Sequence, residues 1–144
     1  MSREKPLLTT LTRRAHLAMR KRVLADVQAA GFDDLTAAHL YVFQLPGPDG
    51  RRPTELAAQM NMTKQATNHL LSGLEARGYL ERMTNPGDGR AKLLRLTPRG
   101  RKVAQIMQDS SRSLENEWAR HLGRSEVERI RHGLVQLADV VSNG

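Results

Sequence analysis

The chain has 144 residues, a formal net charge of +8, no cysteine, and only 3% Phe, Trp and Tyr. Its length fits one domain with helical arms, and its core must be mostly Leu, Val, Ala and Met. Disulfides, thiolate metal sites and cysteine redox sensing are excluded; no apolar run suits a signal peptide or a membrane span of ~20 residues, so a soluble cytoplasmic protein is expected.

The charge is unevenly placed. Residues 51–102 hold eleven Lys and Arg against four Asp and Glu, whereas residues 103–144 hold five against six. A basic centre beside a neutral tail is the footprint of a domain that meets a polyphosphate. Residues 7–31 predict a helix, with Leu7, Leu11, Ala15 and Ala18 on one stripe and Val23, Leu24 and Val27 further on. Gly31 ends it. Arg13, Arg14, Arg20, Lys21 and Arg22 crowd its polar side, as a solvated face or as contacts to phosphates flanking a site. Thr36 is placed to cap a helix over 37–45, with Leu40, Val42 and Phe43 as core contacts and the Pro/Gly run 46–50 as its stop.

The stretch from Thr54 to Thr97 carries the function. Leu56, Ala57 and Met60 fall at helical spacing, Asn61 and Met62 interrupt them, and Thr63 is an N-cap for a helix over 64–77. Thr67, Leu70, Leu71 and Leu74 share its inner face, and Gly78 fits its C-terminal stop. Two helices joined by so tight a turn form a helix-turn-helix, whose second helix enters the DNA major groove. The opposite face carries Lys64, Gln65, Asn68, His69 and Ser72, polar side chains suited to reading base edges; the alternative is an ordinary solvated face.

The segment after Gly78 favours base reading. Residues 79–83 and 92–96 alternate like strands around the turn-rich segment 84–91, which predicts a β-hairpin, the wing of a winged helix. Arg90 near its tip suits the narrow minor groove, Asp88 is placed to orient it, and Lys92 lies on the return strand. Base readers are expected at Gln65, Asn68 and His69, with Thr63 and Lys64 nearer the DNA backbone.

Thr97-Pro98 opens the next helix, along which Val103, Met107, Ser110, Leu114, Trp118 and Leu122 recur at three and four. Gly123 breaks it, and Ser125 with Glu128 predicts a capping box for the last helix. There Val127, Ile130, Leu134, Leu137 and Val141 form a coiled-coil-like seam. With Leu7, Leu8 and Leu11 of the first helix they make an apolar surface that a lone chain would leave exposed, so a two-fold homodimer is expected.

His16, His39, His69, His121 and His132 are scattered, with no metal-binding spacing, and neither a metal nor another cofactor is expected. The chain lacks a phosphate-binding loop, a nucleophile elbow and a nucleophile–base pair, so it does not read as an enzyme. A sequence-blind architectural DNA protein would share the charge but not need the polar reading face.

Asn85-Pro86, Asp88-Gly89-Arg90 and Leu96-Thr97, with Leu74-Glu75 and the run from Gly78 to Arg82 before them, resemble the wing signature of the MarR family of bacterial transcriptional regulators. In element order the resemblance covers about residues 10–142. It implies a mainly α (α+β) fold, a winged helix-turn-helix with N- and C-terminal dimerisation helices. It divides the chain into a dimerisation helix at 1–34, a DNA-binding domain at 35–100 and dimerisation helices at 101–144. The segment 51–53 would be a short third strand of the wing sheet, and His39 stands where glutamine is usual. The implied function is a repressor that binds a pseudo-palindromic duplex as a homodimer, with no membrane partner. The resemblance also implies release by a small aromatic or phenolic anion, for which Arg13, His16 and Arg20 are available; a constitutive regulator without ligand is the alternative.

Overall fold

The computed structural model describes residues 4–44, 47–85 and 87–144; the side chains of Asn85, Asp88, Arg90 and Ala91 also lie outside the described part. The order of elements is α1 (Leu8–Ala29), α2 (Ala37–Phe43), α3 (Pro53–Met60), α4 (Lys64–Ala76), β1 (Leu80–Asn85), β2 (Asp88–Leu96), α5 (Pro98–Leu122) and α6 (Arg124–Ser142). This is a winged helix-turn-helix followed by two helices. The chain forms two compact units, Met1–Gln108 and Asp109–Gly144, with the boundary inside α5. Among the described residues no helix is long and apolar enough to cross a membrane.

The core of the first unit is built from the positions that the periodicity marks. Val27 of α1, Leu40, Val42 and Phe43 of α2, Leu56 of α3, and Leu71 and Leu74 of α4 are all buried. Leu80, Leu94, Leu96, Val103 and Met107 close it from the hairpin and α5. Each such side chain contributes about 1.5–3 kcal/mol by leaving water, so the helix-turn-helix is held by ordinary aliphatic packing.

The wing departs from expectation in two ways. Its strands are longer than 79–83 and 92–96: pairing runs from Leu80 opposite Leu96 out to Asn85 opposite Asp88, with a register shift between Thr84 and Asn85. The ladder therefore continues through residues that composition marks as turn. The third strand over 51–53 does not form. Asp49 and Arg51 make isolated bridges to Leu94, with Leu94 N–H donating to the Arg51 carbonyl at 2.9 Å. Pro53 then opens α3, and a residue without an N–H cannot extend a ladder.

Helix α5 begins at a close contact. The Thr97 hydroxyl accepts the Gly100 N–H at 3.2 Å and donates to the Gly78 carbonyl. A Cβ at Gly100 would stand 2.2 Å from the Tyr79 carbonyl oxygen. Only glycine lets the first turn of α5 approach the chain there.

In the second unit the expected Ser125–Glu128 capping box is not formed. Gly123, at φ +90°, is the N-cap, and α6 starts at Arg124, two residues earlier than a Ser125 cap would place it. Ser125 then lies inside the first turn. The Glu128 carboxylate accepts from Arg131 Nε at 3.3 Å instead. Arg131 also binds Glu115 of α5, Nη2 to Oε2 at 2.6 Å. Ile130, Leu134, Leu137 and Val141 remain exposed, whereas Val127 is buried within the chain itself.

Candidate nucleic-acid interface

Helix α4 is fixed at both ends. At its start the Thr63 hydroxyl accepts the Ala66 N–H at 3.1 Å, a bond that leaves the hydroxyl proton unused. At its end Arg77 is the C-cap and Gly78 turns the chain at φ +81°. Before it, Asn61 ends α3 in the left-handed region at φ 52°, which gives the two helices their tight joint.

Between those ends the two faces of α4 differ completely. Thr67, Leu71 and Leu74 are at 0% exposure, and Leu70 packs partly buried beside them. Lys64, Gln65, Asn68, His69 and Ser72 are all exposed on the outer face. The sequence-predicted reader residues thus stand together on one accessible helix surface. The Thr67 hydroxyl, aimed inward, is buried with no hydrogen-bond partner.

A groove of about 330 Å³ joins this face to its neighbours; Arg52, Pro53 and Thr54 line it from the start of α3, Lys64 and Asn68 from α4, and Lys92 from β2. Arg52, Lys64 and Lys92 have no ion-pair partner among the described residues, whereas several cations nearby do. Arg82 pairs with Glu75, Arg95 with Glu81, and Arg101 with Asp49. Unpaired cations around an open groove beside a polar helix face suit an oxyanion of a polymer backbone. Arg52 and Thr54 were not expected at the site. The signal was the Arg51-Arg52 pair before Pro53, which a strand assignment turned toward the wing. The backbones of Asp88 and Arg90 lie in β2, but their expected roles fall on side chains outside the described residues.

A polar cluster braces α4 from behind. The Tyr79 hydroxyl donates to Asp34 Oδ1 at 2.7 Å and accepts from Arg99 Nη2 at 2.9 Å. Arg77 Nη1 donates to the Asp34 carbonyl at 2.7 Å, tying the end of α4 to the turn before α2. The Tyr79 hydrogen bond, aided by Arg99 and Arg77, holds the Asp34 carboxyl below the usual carboxylate range. Burial, then the Asp34 carboxylate, pushes the Tyr79 phenol up. His39, buried and lying between Thr36 and Arg77, is driven below its ordinary value by burial and then by the Arg77 charge.

The residues expected for a small anion fall elsewhere. Arg20 lies over the Tyr41 ring at 4.3 Å, and His16 Nε2 is 3.3 Å from the Tyr41 hydroxyl. Arg13 is exposed on the same helix. A larger cavity, about 550 Å³, is lined instead by Phe43, Leu96 and Ala104, with Arg51, Arg101 and Gln108 among its polar groups. Among the described residues no three His, Asp or Glu gather into a metal-binding group.

Known proteins match this arrangement. The family model described as MarR family matches residues 33–91, from the turn before α2 to β2. The multiple antibiotic resistance protein MarR of Salmonella typhimurium is 30% identical over 86 residues, 59% of this chain and 60% of that one. The chain thus spans about 60% of the length of that relative. The transcriptional repressor CouR, solved on a 23-mer DNA duplex, superposes with a TM-score of 0.71 at 27% identity, covering 92% of each chain. Apo MarR of E. coli gives 0.73 at 23% identity, covering 94% of this chain and 98% of that one, a likeness of fold.

Proposed function

We propose that the chain is a MarR-family transcriptional regulator, most simply a repressor, that binds specific duplex DNA as a homodimer. The observation that carries this reading is the exposed polar face of α4 beside a groove lined by Arg52, Lys64 and Lys92. Gln65, Asn68 and His69 reach base edges; Asn and Gln match the donor and acceptor pair of adenine. Thr63, Arg52, Lys64 and Lys92 meet phosphates, Ser72 touches the flank of the groove, and the hairpin that carries Arg90 serves the minor groove. CouR, a relative above 25% identity, supports the reading because it was solved on duplex DNA.

The dimer is formed by Leu7, Leu8 and Leu11 of one helix and by Ile130, Leu134, Leu137 and Val141 of another, all exposed in the single chain. Val127 lies on the same seam. Two-fold pairing sets two reader helices about one DNA turn, ~34 Å, apart, so the operator is pseudo-palindromic. A small aromatic acid releases the DNA. The cavity lined by Phe43 and Leu96 suits it better than the exposed cluster of Arg13, His16 and Arg20, because it falls within the ~300–1,000 Å³ typical of ligand pockets and carries apolar walls.

The experiment is a salt titration of binding to the promoter segments beside the gene and to random duplex. A regulator keeps a large affinity ratio as salt rises; equal affinities throughout would leave an architectural binder. A thermal-shift screen of small carboxylates, followed by DNA-release assays, tests the effector.

A further inference from the structure

His39 occupies the third position of α2, three residues after Thr36, where a capping box places glutamate or glutamine. Its Nδ1 lies 3.0 Å from the Thr36 backbone nitrogen and accepts that N–H. The neutral ring therefore carries its own proton on Nε2. Nε2 faces Arg77 Nη2 at 3.3 Å, a contact between two donors. A second proton can enter only at Nδ1. The backbone N–H of Thr36 would then lose its acceptor, and the new N–H would turn to the Thr36 hydroxyl, also 3.0 Å away. The ring would carry a positive charge against the guanidinium of Arg77.

The charged and titratable groups around the ring are Arg77 from α4 and Asp34 from the turn before α2. Behind Asp34 stand Tyr79 and Arg99. Asp34 favours the protonated ring, but its carboxylate is already engaged by the Tyr79 hydroxyl and flanked by Arg77 and Arg99. Arg77 opposes protonation directly, and so does burial, since the residue is 9% exposed.

We propose that His39 is a proton-operated latch on the helix-turn-helix. Neutral, it caps α2 and lies against the residue that ends α4. Protonated, it gives up the cap and pushes Arg77 from its bond to the Asp34 carbonyl. The folded chain binds this proton less readily than the unfolded one, so the stability the neutral ring supplies is complete above its ordinary value of 6.5. It drains as the pH falls below that value. If α4 is the DNA reader, as the proposed function has it, acid then loosens the anchor of the reader; the latch itself works whatever α4 reads, and its test omits DNA.

The test uses the full chain and two readouts. Carbon-edited NMR follows the His39 ring through a pH titration, in the parent and in Arg77→Met. The parent ring should titrate below 6.5, and the variant ring closer to it. Unfolding midpoints are then taken at pH 7.5 and 5.5 for the parent and for His39→Gln, which keeps a capping side chain but cannot titrate. The parent midpoint should fall by roughly 3–6 °C more than that of His39→Gln. A parent ring that titrates at or above 6.5, or equal falls in both proteins, overturns the latch.

Discussion

The Tyr79 hydroxyl donates to Asp34 Oδ1 at 2.7 Å, and this bond joins the residue before β1 to the turn before α2 across 45 positions of sequence. Tyr79 itself is fully buried, between the Phe32 and Phe43 rings at 6.1 Å each. Tyr79→Phe keeps the ring and deletes the donor. It should cost about 1–2 kcal/mol in denaturant unfolding, since a carboxylate loses a charge-assisted bond while Arg77 and Arg99 remain beside it. The Asp34 carboxyl, held below its ordinary value of 3.8, contributes stability above that pH and loses it as acid carries the solution through the lowered value. Acid unfolding of the parent should therefore include a component below pH 3.8 that shrinks in Tyr79→Phe.

Thr67→Val should stabilise the chain by about 1 kcal/mol. The Thr67 hydroxyl is buried and has no partner, and valine has nearly the same shape without a polar group to desolvate. A midpoint in denaturant equal to or below that of the parent would show that the hydroxyl is satisfied in solution.

Arg52→Ala and Asn68→Ala should separate two kinds of contact in one groove. Arg52→Ala should weaken binding to all duplexes alike and lower the slope of log affinity against log salt by about 1. Asn68→Ala should cost about 1–3 kcal/mol on the operator and relax preference at one base pair. Binding curves across a salt series and a set of single-base operator variants would read both.

Leu134→Asp together with Leu137→Asp should convert a dimer into monomers or unfolded chain. The two side chains are 50% and 44% exposed in the single chain, so the charges harm folding less than they harm pairing. Sedimentation velocity at micromolar concentration would show the change. A folded monomer already present in the parent would remove the dimer from the functional reading.

Much of the candidate site was legible in sequence because its causes are local. Thr63 caps α4 through the hydroxyl of that one residue, and Leu71 and Leu74 are buried at the spacing that marked them. Two local signals misled. Ser125 had the right partner three residues on, yet Gly123 at φ +90° started α6 first. The Gly/Asp/Asn-rich segment after Met83 looked like turn, yet cross-strand pairing carried it into the ladder as far as Asn85. What sequence did not show depends on distant partners. Arg52 joins Lys64 and Lys92 only once α3, α4 and β2 are folded together. His39 gained a meaning only when Thr36 and Arg77 were seen on either side of its ring.

The contact at Gly100 makes that position unusually intolerant of change. A methyl group there would overlap the Tyr79 carbonyl oxygen, which already accepts the Thr97 N–H at 3.1 Å. Relief would require the first turn of α5 to lift, drawing Val103 and Met107 away from the core they help to fill. In a library carrying every residue at position 100, selected only for folded protein, glycine should be recovered nearly alone. A position constrained by a backbone contact alone would then show the mutational profile usually taken as the mark of an active residue.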